Sequence, residues 1–455
     1  MIKLFIQSPI KDIFFQENKF FVESTLQDCD LVISENSESI KKALALDIPV
    51  LKPSFLGDIL DVNMSFVLRQ PSLKRSLNFA LRNAVSLVAS LKKIKADPNF
   101  WQERRKTVVL FCLEGLSSYI LFRNTIPHLL EKYDLILVSA LESKEFIELY
   151  DKESFKDIVY IDTKKLENKL GYLSKTLKKL SLLKSHFLLN TAFSHTEFTR
   201  VLTLHTNATS KVMIKGNLAN IDIDEYYECL NLYNRVLDTG TCINFEHYRY
   251  INMVKAFLNA DLKIDFELMD IKEDSIKDKD VLTFKDKSYI LVSLESSLPE
   301  KRYKHFDKVL RELLEVKKDL KIVLCGSEKD LKVCTLTHPN ITNLVGKLDL
   351  ASFIFLLQNS LLNVVNNHAP AHLSNALNKP TLILANGDNL GRFSKYPREL
   401  RPNSKTLYED AIEENFNGVK LFSNLGLIKP YVAKKYNVSD ISPSKVVSSI
   451  LMFLK

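Results

Sequence analysis

Residues 364–397 read VVNNHAPAHLSNALNKPTLILANGDNLGRFSKYP. A short apolar run ends at a polar turn, Asn366-Asn367-His368-Ala369-Pro370, and a helical pattern through Ala371–Leu377 begins at once. A second short apolar run, Thr381-Leu382-Ile383-Leu384, follows. Strand, turn, helix and strand in this order predict a βαβ unit of a parallel sheet. In such sheets ligands gather at the carboxyl ends of the strands, where this turn sits. The helix start beyond it presents unpaired N–H groups and partial positive charge, which suit a phosphate. His372, on the first helical turn, either donates to the same phosphate or is an ordinary capping or core histidine.

Outward from that unit the same alternation continues. Tyr289–Ser293, Lys321–Leu324 and Leu362–Val365 are expected strands, separated by helices over Lys304–Lys317 and Leu350–Gln358. An earlier series has strands at Val108–Phe111, Leu135–Val138, Asp157–Ile161 and Ser185–Leu189, with a helix over Phe122–Tyr133. Between the series, Asp270–Lys287 is dense in charge and lacks apolar periodicity, as an interdomain linker would. The expected architecture is α/β, with two Rossmann-like lobes in sequence. The lobes are placed at 105–275 and 285–430, with a helical segment at 431–455 whose final helix, Ser442–Leu454, packs on either lobe.

Residues 1–100 are an extension. Leu31–Ser34, a helix over Ser39–Leu46 and Ile48–Leu51 repeat the plan of Asn363–Asn366 and the unit that follows it, as a partial Rossmann-like module or as a generic βαβ piece. Residues 69–96 are basic, without an acidic residue, and carry leucines near one helical face. They suit a linker helix or a membrane-surface contact.

The chain has 455 residues, of which 46% are hydrophobic and 26% charged, within the soluble globular range. Glycine numbers only 11, where average usage would give roughly thirty. No G-x-G-x-x-G or P-loop pattern occurs, which argues against dinucleotide dehydrogenases and P-loop enzymes. The net charge of +8 is compatible with an anionic substrate or a membrane surface and too small to indicate nucleic acid. Cys29, Cys112, Cys229, Cys242, Cys325 and Cys334 form no C-x-x-C pair, which fits reduced thiols and a cytoplasmic location. No signal peptide or membrane-spanning run is expected.

The segment 364–397 resembles the donor-binding signature of the family-nine, heptosyltransferase-type glycosyltransferases, which usually reads D-S-G-x-x-H-L-A-A-A-L-x-x-P-x-x-x-L. Asn367, His368 and Ala369 stand where that family has Asp, Ser and Gly, while His372, Leu373, Ala376, Leu377 and Pro380 match. The run from Gly387 to Pro397 resembles a variant group carrying G-x-x-G-R-F-x-x-Y-P. Ser296-Ser297-Leu298-Pro299-Glu300-Lys301-Arg302-Tyr303 resembles the family's loop ending in K-R-W-P, and Asn343–Leu350 its N-L-x-G-x-x-x-L step. Leu324–Glu328 occupies the place of the glycine segment beside the nucleoside.

The resemblance covers about residues 106 to 430. It implies a GT-B architecture and an inverting transfer from a nucleoside diphosphate sugar, such as ADP-heptose, without metal or resident cofactor. The acceptor it implies is a cell-surface glycan such as a lipopolysaccharide core, carried as a lipid-linked saccharide, or a protein. A location peripheral at the inner membrane face would go with it. It further implies donor contacts from Ser296, Ser297, Lys301, Gly326, Ser327, Glu328, Asn367, His368, Ala369, His372 and Arg392. Lys301, His372 and the turn N–H groups at His368 and Ala369 would meet the diphosphate, with Lys301 exposed when no donor is bound.

The acceptor side departs from that family. Ser117 and Ser118 stand where Gly and the usual base, Asp, are expected, and serine is no base at neutral pH without help. Glu114 is the nearest carboxylate, either a replacement base or a solvent-exposed loop residue. A silent sugar-nucleotide-binding scaffold is therefore the alternative to an enzyme. The D-x-D triplets at Asp28/Asp30, Asp222/Asp224 and Asp278/Asp280 follow no clear strand and are taken as chance. His195 with Glu197 and His247 with Glu246 lack a nucleophile setting. Lys164, Lys165, Lys169, Lys175, Lys178, Lys179 and Lys184 line either a solvated helix face or a surface for a phosphorylated acceptor.

Overall fold

The computed structural model describes residues 105–214, 216, 230–237, 245–296, 298–388, 390–414 and 436–455. Of the first hundred residues it describes the backbone of four short strands and positions 38–39 and 42. Those strands, β1 (Ile2–Gln7), β2 (Phe21–Glu23), β3 (Leu31–Ser34) and β4 (Val50–Leu51), form a parallel sheet in the order β2-β1-β3-β4. The helix expected at Ser39–Leu46 and the basic stretch 69–96 lie largely or wholly outside the described residues.

The second sheet contains β5 (Lys106–Cys112), β6 (Tyr133–Ala140), β7 (Asp157–Ile161), β8 (Lys184–Asn190), β9 (Asn207–Ile214) and β10 (Arg235–Leu237). Its order is β10-β9-β8-β5-β6-β7, parallel throughout. The third contains β11 (Tyr289–Ser293), β12 (Lys321–Cys325), β13 (Ile341–Asn343), β14 (Leu362–Asn366), β15 (Thr381–Leu384) and β16 (Ser404–Leu407). It runs β13-β12-β11-β14-β15-β16, again parallel. Every residue of β11, β14 and β15 is buried. That burial explains their continuous apolar sequences, since helices cover both faces. In each six-stranded sheet the strand order reverses at one point, between β5 and β8 and between β11 and β14, where crevices form.

Helices α1 (Leu116–Phe122), α2 (Ile126–Leu130), α3 (Lys144–Tyr150), α4 (Thr163–Asn168), α5 (Leu170–Leu182) and α6 (Glu197–His205) belong to the first lobe. The expected helix over Phe122–Tyr133 is displaced. Gly115, at φ +88, turns the chain immediately after β5, so α1 starts at Leu116 and Ser117 and Ser118 lie in its first turn. A 3-10 turn at Arg123–Thr125 precedes α2, and Tyr133 opens β6. The basic face of α4 and α5 is exposed at Lys164, Lys165, Lys169, Lys175, Lys178 and Lys179, over a buried stripe of Leu166, Leu173, Leu177 and Leu180.

Helix α7 (Glu246–Leu258) leads to the crossing between the lobes. The charged segment after it is packed rather than a bare tether. It forms a 3-10 turn at Glu273–Ser275 and α8 (Lys279–Leu282), and it buries Ile271, Ile276 and Val281. Asp278 caps α8 by accepting from Asp280 N–H, which gives that D-x-D triplet a structural role. The other two triplets lie outside the described residues.

The second lobe adds α9 (Phe306–Val316), α10 (Leu350–Asn359), α11 (Ala369–Ala376), α12 (Asp410–Glu414) and α13 (Pro443–Phe453). Gln358 on α10 exchanges hydrogen bonds with the backbone of Ile271, at 2.8 and 3.2 Å, which fastens the crossing segment. Between the two lobes it could join, α13 packs on α9 of the second, with Val446, Val447 and Ile450 in the cluster that holds Phe306, Val309 and Leu313. Among the described residues no helix is long and apolar enough to cross a membrane. Cys112, Cys325 and Cys334 are buried free thiols.

Candidate functional site

The two reversal points face each other across a cavity of about 460 Å³. Helices α1 and α11, one from each lobe, pack against each other beside it. The first lobe contributes Glu114, Ser117, Ser118 and Glu142, and the second contributes Glu295, Lys301, Asn367, His368, Ala369 and His372. Leu350, Phe353 and Phe393 supply apolar wall.

On the second-lobe side, α11 starts directly after β14, with His368 at its N-cap and no side-chain cap. The His368 N–H expected to meet a phosphate is taken by the Asn366 carbonyl at 2.8 Å. Among the described residues the N–H of Ala369 has no hydrogen-bond partner and is the available one. His372 is buried, with Nδ1 2.6 Å from the Tyr396 hydroxyl. Burial, reinforced by His368, lowers its pKa to about 3, so its ring is neutral. A tautomer in which Tyr396 donates to Nδ1 leaves Nε2–H as a donor. His368 is lowered to about 4 by burial and then by Lys301. Its Nδ1 lies 3.8 Å from Glu295, whose carboxyl is pushed up by burial and then by Asp330.

Lys301 is not the exposed lysine expected from the sequence. Its side chain is 15% exposed and its Nζ lies 2.5 Å from Oδ2 of Asp388, itself 4% exposed. The loop that carries Lys301 is drawn in by Arg302, which pairs with Asp330 at 3.0 Å.

On the first-lobe side, Glu114 follows β5 and lines the cavity, so it is not a solvent-exposed loop glutamate. Its Oε2 accepts from the Phe193 N–H at 3.4 Å and its Oε1 lies 3.9 Å from Arg392. Burial raises its pKa, the positive charge of Arg392 works against this, and Glu246 adds to it. Ser118 is 7% exposed.

The remaining expected contacts lie elsewhere. Arg392, 2% exposed, is not on the cavity wall and clamps the lobes together. It donates to both carboxylate oxygens of Glu246 at 2.8 and 2.9 Å and to Ser194 Oγ at 3.2 Å, and its guanidinium sits 4.5 Å from the Phe193 ring. Arg249 also sits over that ring, 3.8 Å from its centroid, and bonds Glu246 at 3.2 Å. The Ser296 hydroxyl donates to Leu298 O, and Ser297 lies outside the described residues. Gly326, Ser327 and Glu328 form a turn closed by Asp330 and packed on Gly346, away from the cavity lining. Sequence reasoning missed Glu142, Glu295 and Asp388, and set Glu246 aside with His247. Glu295 and Glu142 each sit just past the end of a strand, and that placement was the available signal.

The sequence pattern of glycosyltransferase family 9 (heptosyltransferase) matches residues 232–409, from just before β10 through the donor turn to β16. Over those residues the chain is similar to family 9. The resemblance read from its motifs holds. A family 9 glycosyltransferase from Veillonella parvula DSM 2008 superposes with a TM-score of 0.57 at 16% identity, over 77% of this chain and 97% of that one. The E. coli heptosyltransferase WaaC, solved with ADP, superposes with a TM-score of 0.54 at 11% identity, over 76% and 99%. At such identities the likeness is one of fold, the two-lobe GT-B architecture. A search of curated proteins by sequence finds no match.

Proposed function

We propose that this family 9 chain transfers a sugar, with inversion and without a metal ion, from a nucleoside diphosphate to a hydroxyl acceptor. The observation that carries the reading is the single cavity in which Lys301, Ala369 N–H and His372 stand opposite Glu114 and Ser118. The acceptor oxygen attacks the anomeric carbon as the bond from that carbon to the diphosphate oxygen breaks. Glu114 takes the acceptor proton, and its raised pKa brings it nearer the range suited to a base. Lys301 and the α11 terminus stabilise the negative charge that develops on the leaving diphosphate. ADP-heptose is the donor favoured by the fold shared with E. coli WaaC, which was also solved with ADP-2-deoxy-2-fluoro heptose. A cell-surface glycan precursor, presented at the inner face of the membrane, or a protein is the acceptor class. The donor and acceptor serve as substrates, and no resident cofactor takes part.

Glu114→Gln tests the assignment. It should lower kcat at least about a hundredfold while donor affinity stays within about threefold, because the donor rests on the other lobe. Near-normal kcat in that variant removes Glu114 from the mechanism. The grip of Arg392 on Glu114 favours one rival reading, a silent sugar-nucleotide binder. Sugar nucleotides that bind wild type but are neither transferred nor hydrolysed would establish it. Turnover that a chelator abolishes and Mg²⁺ or Mn²⁺ restores would overturn metal independence.

A further inference from the structure

The second-lobe wall of the cavity carries both a cation, Lys301, and a carboxylate, Glu295, while the lining residues of the first lobe include two carboxylates, Glu114 and Glu142, and no lysine or arginine. Glu114 has Arg392 behind it at 3.9 Å. Glu142 has no ion-pair partner among the described residues and stays exposed, in the 3-10 turn Leu141–Ser143 that follows β6. Its neighbour Lys144 points away, with Nζ 5.7 Å from the Tyr160 ring centroid. A Cβ on residue 115 would meet the Oε1 of Glu142, the far end of a side chain that can turn aside, so this carboxylate lies against Gly115 at the start of α1.

We propose that Glu142 sets the charge preference of the acceptor subsite, which admits a neutral hydroxyl-bearing residue and rejects one with a carboxylate or phosphate beside the reacting hydroxyl. The proposal rests on the reading that the acceptor meets Glu114. Glu142 lines the same cavity as Glu114, so a sugar held with its hydroxyl at Glu114 shares that cavity with it. An anionic group on that sugar then meets an unpaired carboxylate on the same cavity wall, at an exposed position where solvent weakens the repulsion without removing it. A neutral sugar meets only hydrogen-bond acceptors, which its other hydroxyls satisfy.

The test uses the full chain and two glycosides that differ only at C6, a hydroxymethyl in one and a carboxylate in the other. Binding is measured by calorimetry with a nucleoside diphosphate present, and transfer as kcat/KM. The neutral glycoside should be preferred at least about tenfold in binding, as expected for like charges brought together. Glu142→Gln should narrow that ratio, and Glu142→Lys should invert it. Equal binding, a preference for the acid, no binding of either glycoside, or a ratio that neither substitution moves would overturn the proposal. Preferential binding of the neutral glycoside with no transfer would instead overturn the transferase reading and leave the charge preference standing. Equal transfer to both glycosides would do the reverse.

Discussion

Lys301 meets the cavity already paired with a buried aspartate, and this changes what its removal should do. On the proposed reading Lys301→Ala takes away a charge-assisted contact to the diphosphate, an affinity loss of about tenfold to a hundredfold. It also leaves Asp388, at 4% exposure, without its cation, a penalty of about 3–5 kcal/mol for a broken buried pair. The variant should therefore lose melting temperature as well as nucleotide affinity. Adding Asp388→Asn should restore the former and not the latter, as thermal unfolding and calorimetry on both variants would show. The pH profile offers a second check. Because the Glu114 carboxyl is held above its ordinary value, kcat/KM should fall as pH falls through that raised pKa, and the limb should vanish in Glu114→Gln. Lys301 and His372 were legible in the sequence because strand-end turns and their motifs are local. Asp388 and Glu246 were not, since each acquires its meaning from a partner on a distant element, and Glu142 was not because only the packing of the two lobes shows that it lines the cavity.

At the scale of elements, Gly115 decides where α1 begins. Its φ of +88 with ψ of −176 falls in a region essentially reserved for glycine, and the Glu142 carboxylate occupies the space a side chain would need. Gly115→Ala should cost about 1–3 kcal/mol in denaturant unfolding and displace Glu142, raising the KM for acceptor more than that for donor. The strands named from the sequence fall within a residue or two of their observed ends, because β-branched runs buried on both faces leave little ambiguity, whereas β1, β2, β9, β10, β13 and β16 went unread. The helix expected over Phe122–Tyr133 was misplaced because its pattern continues from α1 through a 3-10 turn into α2, and apolar spacing does not register that break. The charged segment Asp270–Lys287 misled in the other direction. Its scattered Ile271, Ile276 and Val281 follow no regular period and are nonetheless buried.

For the whole molecule, the alternating strands announced two parallel sheets, and both are present. The N-terminal order β2-β1-β3-β4 also matches that of β12-β11-β14-β15, the inner strands of the second lobe, with β3 and β14 as the corresponding pair. What the sequence did not disclose is the clamp that fixes one lobe on the other. Replacing Arg392 with Met leaves Glu246, fully buried, with Arg249 alone, and should cost about 3–5 kcal/mol in unfolding free energy. The Glu246 carboxyl, pushed up by burial, is held below its ordinary value by Arg392 and Arg249. Its share of stability is therefore present above the unfolded-state pKa and lost as pH falls through the folded one. In Arg392→Met that acid-side loss should shift to higher pH in a series of unfolding curves.

The clamp also bears on how the chain is made. Glu246 and Arg392 are 146 residues apart, so during synthesis the first lobe leaves the ribosome well before its guanidinium exists. Through that interval Glu246 has only Arg249, and Glu114 has no cation. The nascent first lobe must wait for β15 and the loop after it before these two carboxylates gain the cation of Arg392. Its electrostatic completion is thereby tied to arrival of the second lobe, and a chain cut short within that lobe leaves both carboxylates without it.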